Sequence, residues 1–306
     1  MIVKHFLAAL LLAFCYVTAA ITPATVFAAP SPPSAPLPLP IVDPQARQIL
    51  AAMINTYRSF AMQEYEDEET FTAAGDTTSV SSEYVNSKFT VVLNRGFGVL
   101  LTQTDASGEK VTVHAFRKDN SQADRPFLII TIDSRFPGLY VKDVVTDYQE
   151  ALAHSFSSVG LGTLGAGALF SERDISSLLV HPAFQGLRLG QTSVVDGVPC
   201  DSVMIEIDNG RGNNTITLYI GQKDHLMRRL TLTHVQGAQT TTVTEKHTRI
   251  RASNDARPPF LFPPSYFLYA PPRGYRSVKF FPSPVAPARP AVTPPVTSER
   301  VHGAAK

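Results

Sequence analysis

The chain contains no tryptophan, and only two of its 306 residues are cysteine. Two cysteines exclude a disulfide-dense scaffold and any multi-cysteine zinc module. Charge is scarce as well: Asp, Glu, Lys and Arg make up 17% of the chain, against roughly 25% in an average soluble domain. The charge that is present balances, with 27 basic and 26 acidic residues. That balance excludes a nucleic-acid-binding arm or an acidic tail. Compact catalytic motifs are missing too: there is no H-E-x-x-H, G-x-S-x-G, phosphate-binding loop or C-x-x-C. Proline is scarce in one region alone. Residues 45–257 hold four of the 24 prolines, whereas 29–40 hold six and 258–295 hold twelve. The hydrophobic content of 44% suffices for a core.

The ends of the chain differ from its middle. Lys4, the apolar run from Phe6 to Val17 and the small-residue stretch ending Val26-Phe27-Ala28-Ala29 follow the order of a secretory signal peptide. The run is shorter than the about 20 residues of a membrane span. The expected segment is therefore 1–28, cleaved after Ala28; the alternative is an uncleaved membrane anchor. Removal leaves 26 basic and 26 acidic residues and Cys200 as the lone cysteine. Cys200 follows Val198 and Pro199 and reads as a small buried hydrophobe. Residues 29–42 read as a Pro-rich linker, 43–281 as one folded domain, and 282–306 as a disordered Pro-rich tail.

The domain opens with a helix. Asp43 caps it, Pro44 fits its first turn, and Ala46, Ile49, Leu50, Met53 and Tyr57 recur at helical spacing to about Arg58. The period then changes to two. Phe89, Val91 and Leu93 share one strand face, as do Val203, Ile205 and Ile207. Ile216 and Leu218 follow, then Leu230 and Leu232. Phe127 to Ile132 is almost wholly apolar, the pattern of a strand covered on both sides. Short turns such as Asp105-Ala106-Ser107-Gly108 and Asp196-Gly197 imply an antiparallel meander. The stretch from Lys142 to Val180 interrupts it. Val144, Val145, Tyr148, Ala151 and Leu152 suggest one helix, and Glu172 to Val180, capped by Ser171, a second.

Three motifs need weighing. Gly160-Leu161-Gly162-Thr163-Leu164-Gly165 spells a dinucleotide fingerprint, but a helix precedes it and no βαβ unit surrounds it. It reads as an apolar connector or a movable lid carrying Leu161, Leu164, Leu169 and Phe170. Glu64-Tyr65-Glu66-Asp67-Glu68-Glu69 reads as a solvated edge strand, acidic on both faces, with the basic strand of Lys246, Arg249 and Arg251 across from it. His225, His234 and His247 have no compact ligand spacing; convergence across strands would be needed for a metal, and scattered surface histidines are the simpler reading. The expectation is no metal, no cofactor and no catalytic residues.

A family resemblance enters on these residues: the Asp43-Pro44-Gln45-Ala46 helix start, Phe89 to Arg95, Val195-Asp196-Gly197-Val198-Pro199-Cys200-Asp201, Thr217 to Arg229, and Phe260-Leu261-Phe262-Pro263-Pro264. Together these resemble predicted periplasmic proteins of unknown function related to the LolA/LolB-like lipoprotein carriers, over about 43–272. The resemblance implies an α+β, mainly antiparallel fold. Its half-barrel is unclosed, with the N-terminal amphipathic helix and inserted lid helices on the concave face. It also implies a monomeric, non-enzymatic periplasmic protein that binds a lipid, a lipoprotein acyl chain or another apolar ligand. The candidate cavity lining is Phe89, Val91, Leu93, Val203, Ile205, Ile207, Ile216, Leu218, Leu230 and Leu232, each of which would serve equally as sheet core. The alternative is an envelope sensor or scaffold that binds a protein partner. No nucleic-acid partner is expected.

Overall fold

The computed structural model describes residues 40–74, 86–95, 97–117, 126–157, 183–208, 213–255 and 262–282. The expected signal segment, most of the linker, the lid residues Leu161, Leu164, Leu169 and Phe170, the second expected helix and the tail beyond Pro282 lie outside them.

Strands dominate because alternation dominates the sequence. The first meander comprises β2 (Met62–Ala74), β3 (Ser87–Asn94), β4 (Gly98–Thr104), β5 (Lys110–Arg117), β6 (Phe127–Asp133) and β7 (Leu139–Val145). The second comprises β8 (Phe184–Leu189), β9 (Ser193–Val195), β10 (Val198–Asp208), β11 (Asn213–Gly221), β12 (Met227–Gln236) and β13 (Gln239–Ser253). β13 returns to pair antiparallel with β2, and this seam joins the two meanders into one sheet. Two short strands finish its rims: β1 (Ile41–Val42) runs parallel to β8, and β14 (Arg276–Val278) runs parallel to β7. The order is β1-β8-β10-β11-β12-β13-β2-β3-β4-β5-β6-β7-β14, with β9 hairpinned onto β10. No pairing joins β1 to β14, so the barrel is unclosed among the described residues.

Turn chemistry sets the reversals. Asp196 and Gly197 both take positive φ, 51° and 78°, as a two-residue hairpin between β9 and β10 requires. Asp105 Oδ1 accepts hydrogen bonds from the backbone N–H groups of Ser107 and Glu109, both at 2.9 Å, which closes the β4–β5 turn.

Two helices lie on the inner face among the described residues. α1 (Pro44–Ser59) begins where Asp43 Oδ1 accepts from the N–H groups of Gln45 and Ala46. It buries Ala46, Leu50, Met53 and Tyr57 over β8 and β10. Its C-terminal carbonyls are held by Arg95, whose Nε donates to Phe60 O at 2.8 Å and Nη2 to Tyr57 O at 3.0 Å. Tyr57 Oη accepts from the N–H of Met227 at 3.1 Å, tying α1 to β12. α2 (Tyr148–Ser157) lies over β4, β5 and β6 and buries Ala151, Leu152 and Phe156. Val144 and Val145, expected in this helix, belong instead to β7. Thr146 and Asp147 divide the two elements: the Asp147 carboxylate accepts from the N–H of Glu150, and Glu150 reaches back to Thr146.

The outer face is covered over part of its width. Residues 262–282 form a strap there, and Phe262 and Phe267 pack on Met62, Val92, Phe116 and Ile130. β6 is therefore buried on both sides, as its apolar run predicts: Phe127 and Ile129 point inward and Ile130 outward. Gly98 lets both β5 and the strap come close, because a Cβ there would stand 2.3 Å from Ala115 O on β5 and 3.2 Å from Phe267 Cβ on the strap. His114 stacks on Tyr269 of the strap at 4.3 Å between ring centres. No helix of the described residues is long and apolar enough to cross a membrane.

Candidate functional site

The inner face is the candidate site. All ten expected lining residues, from Phe89 on β3 to Leu232 on β12, are buried in one apolar cluster with the inward residues of both helices. Register explains the convergence. Val203, Leu218 and Leu230 stand side by side on β10, β11 and β12, as do Ile205, Ile216 and Leu232. Removing such a side chain from water contributes about 1.5–3 kcal/mol, so this row holds the sheet's curvature whatever else it does.

A polar row interrupts this surface at the seam. The acidic run expected on a solvated edge strand is instead on β2, in the centre of the sheet between β13 and β3. The period of two sorts its residues. Glu64 and Glu66 face out and pair with Arg251 and Arg249 of β13, the latter at 2.8 Å, as the basic strand across from them predicts. Lys88 of β3 pairs with Glu68 at 3.3 Å. Tyr65, Asp67 and Glu69 face in and are buried, with Gln63 beside them. From β13 come Glu245, which stands opposite Glu69, and His247, which stands opposite Asp67. Both are buried, at 0% and 3% exposure.

The electrostatics follow from burial. Desolvation first, then the Glu245 and Glu69 carboxylates, raise the Asp67 carboxyl well above its usual range, offset in part by the Lys246 amide. Glu69 is pushed up to about 8 by burial and by Glu245. Tyr65 is raised well above 10 by burial and by Asp67 and Glu245. Tyr65 stacks on the His247 ring at 4.7 Å between centres. His247 Nε2 is 3.7 Å from Glu245 Oε2 and 3.9 Å from Asp67 Oδ2, beyond hydrogen-bonding distance. Among the described residues neither His247 Nε2 nor Tyr65 Oη has a hydrogen-bond partner, and neither Asp67 oxygen has one of normal geometry.

A bulge lies next to this row. Between Thr248 and Arg251, two residues of β13 oppose Tyr65 alone, and Arg249 takes a left-handed φ of 50°. A non-glycine residue there is strained; its side chain makes an exposed ion pair with Glu66.

The other histidines do not converge. His234 is partnered by Asn214, with Nδ1 and Oδ1 2.7 Å apart, and His225 sits in the β11–β12 turn. Cys200 is buried, and burial raises its thiol. The sequence reading missed Asp67, Glu69, Glu245 and His247 as inward residues. Tyr65 and Phe71 mark the inward register of β2, and Val243 marks that of β13. Extending each by twos reaches all four.

No family model matches the chain, and no curated protein matches it. Solved structures with similar strand arrangements include the lipoprotein LppX of Mycobacterium tuberculosis, 14% identical, covering 68% of this chain and 96% of that one, with a TM-score of 0.37. A chain of the MucA/MucB complex of Pseudomonas aeruginosa is 12% identical, covering 78% and 67%, at 0.31. A DUF1329 family protein from Desulfovibrio piger is 9% identical, covering 74% and 96%, at 0.28. At these values the likeness carries no property from those proteins to this chain.

Proposed function

We propose that this chain is a non-enzymatic binding or carrier protein of the cell envelope that holds a lipid, an acyl chain or another apolar molecule against the inner face of its sheet. One observation carries the reading: a sheet open between its two rims presents an apolar inner face on either side of the polar row at its seam, and two helices of 16 and 10 residues rest over its flanks. Strands β11, β12, β13 and β2 lie between those flanks. An acyl chain entering there would gain about 0.8 kcal/mol for each methylene removed from water. The polar row at the seam favours an amphiphile, whose polar group it would meet.

The test is native mass spectrometry of detergent-free protein purified from the envelope, followed by delipidation and titration with a fluorescent fatty acid. A bound mass that extracts into organic solvent, and a probe site that opens when it leaves, are expected. A clean apo mass with no probe uptake would overturn the reading.

A second reading has its own support. Tyr266, Leu268 and Phe280 on the strap are 45%, 48% and 74% exposed, an apolar display suited to a protein partner. Crosslinking from these positions in the envelope tests it, and loss of the crosslink in Phe280→Ser is the expected result.

A further inference from the structure

We propose that Asp67, Glu245 and His247 form a binding site for a divalent first-row cation, zinc or manganese, inside the sheet. One ligand atom from each residue lies within 4.8 Å of the others. The 3.7 Å and 3.9 Å separations from His247 Nε2 to the two carboxylates are too long for hydrogen bonds. They stand just outside the about 3.3–3.6 Å that ligands at about 2.0–2.2 Å take around a tetrahedral ion, so a small inward shift of the side chains seats one.

The unpartnered imidazole is the independent observation. His247 is 97% buried, its Nε2 has no hydrogen-bond partner, and that atom is aimed between the two carboxylates. Buried polar atoms in native proteins are almost always satisfied, and one left without a partner calls for a cause such as strain, a catalytic role, or a bound ion or water; here the two facing carboxylates favour an ion. The ring is already held in place by its stack on Tyr65.

The donor set selects the ion. Two carboxylates and one imidazole suit zinc or manganese; calcium and magnesium favour all-oxygen sites, and copper(I) favours thiolates. The ligands lie on hydrogen-bonded neighbours, β2 and β13, so the backbone ladder fixes their spacing. Those strands form the seam between the two meanders, and the bound ion would pin it. The site does not depend on whether the inner face also holds an apolar ligand.

The experiment uses the full chain, stripped with EDTA and freed of chelator. It is titrated with Zn²⁺, Mn²⁺ and Ca²⁺ by calorimetry and thermal melting. The expected result is one equivalent of Zn²⁺ or Mn²⁺ bound with a raised melting temperature, and a tenfold or greater loss of affinity in His247→Gln and Asp67→Asn. His154→Ala, which removes the partly exposed imidazole paired with Asp143 at 3.1 Å, should bind like the parent. Should either ligand variant fail to fold, Co²⁺ loaded into the parent decides: paramagnetic shifting of the His247 ring resonances supports the site, and unshifted ring resonances overturn it. Absence of stoichiometric uptake, or uptake undiminished in a folded His247→Gln, would also overturn it.

Discussion

Acid should loosen the strap through one side chain. His114 leaves the outer face of β5 and stacks on Tyr269, and burial there lowers its pKa from 6.5 to about 4, against a hydrogen bond to the Phe267 backbone that raises it. The unfolded chain takes up a proton near pH 6.5, and the folded one does not until about pH 4. Between those values the unfolded state binds more protons, so stability falls as pH falls. At 1.36 kcal/mol per unit the full shift is worth about 3 kcal/mol, and screening at the ring's exposed edge brings it to about 2–3 kcal/mol. For a domain of this size that corresponds to about 5–10 °C in melting temperature. Carboxylates also titrate in this window, so the measurement is a difference. Urea unfolding is followed from pH 7.5 to pH 4 for the parent and for His114→Gln, which keeps polarity and volume without the titration. The parent's advantage should be constant above pH 7 and shrink by about 2–3 kcal/mol toward pH 4. An advantage that stays constant to pH 4 would refute the assignment.

Gly98→Ala should destabilise markedly, because its Cβ would meet the backbone oxygen of Ala115 on β5 rather than a side chain that can rotate away; thermal melting reads this, and a neutral result would show that β5 does not approach so closely. Leu218→Ala should cost about 2–5 kcal/mol in urea unfolding, the range for a buried leucine whose site cannot fully collapse, and should weaken uptake of the fatty-acid probe. Cys200 should react with a thiol reagent only as fast as the protein opens, since the side chain is fully buried and its thiol is raised by that burial. Glu66→Gln should change stability by less than about 1 kcal/mol, because its partner Arg249 is largely exposed.

Helix α1 was legible in full because its signals are local: a capping aspartate, a first-turn proline and apolar residues three and four apart. The strand rows were legible because alternation is local too. The place of β2 in the sheet was not. Six consecutive polar residues look alike whether water or a neighbouring strand receives them, and the pairing that decides it comes from β13, more than 170 residues later. The same separation hides the polar row. Metal motifs are recognised by ligands close in sequence, and Asp67 has its companions at 245 and 247. The strap was half legible: the conserved geometry of proline marks 258–295 as non-regular, but nothing in that composition says that Phe262 and Phe267 return to the sheet.

Among the described residues the two rims of the sheet are finished by β1 and β14, the first and last strands, with two and three residues each. Each rim thus ends in a short parallel strand. During synthesis the rim at β8 has its partner waiting, while the rim at β7 stays unsealed until the last strand emerges. Any pull on the two ends of the folded unit reaches these short ladders before the long seam, so a tethered molecule would fray at its margins and keep its centre. Deleting residues 276–282 would leave β7 as a bare template for another chain, and concentration-dependent association is the outcome to look for.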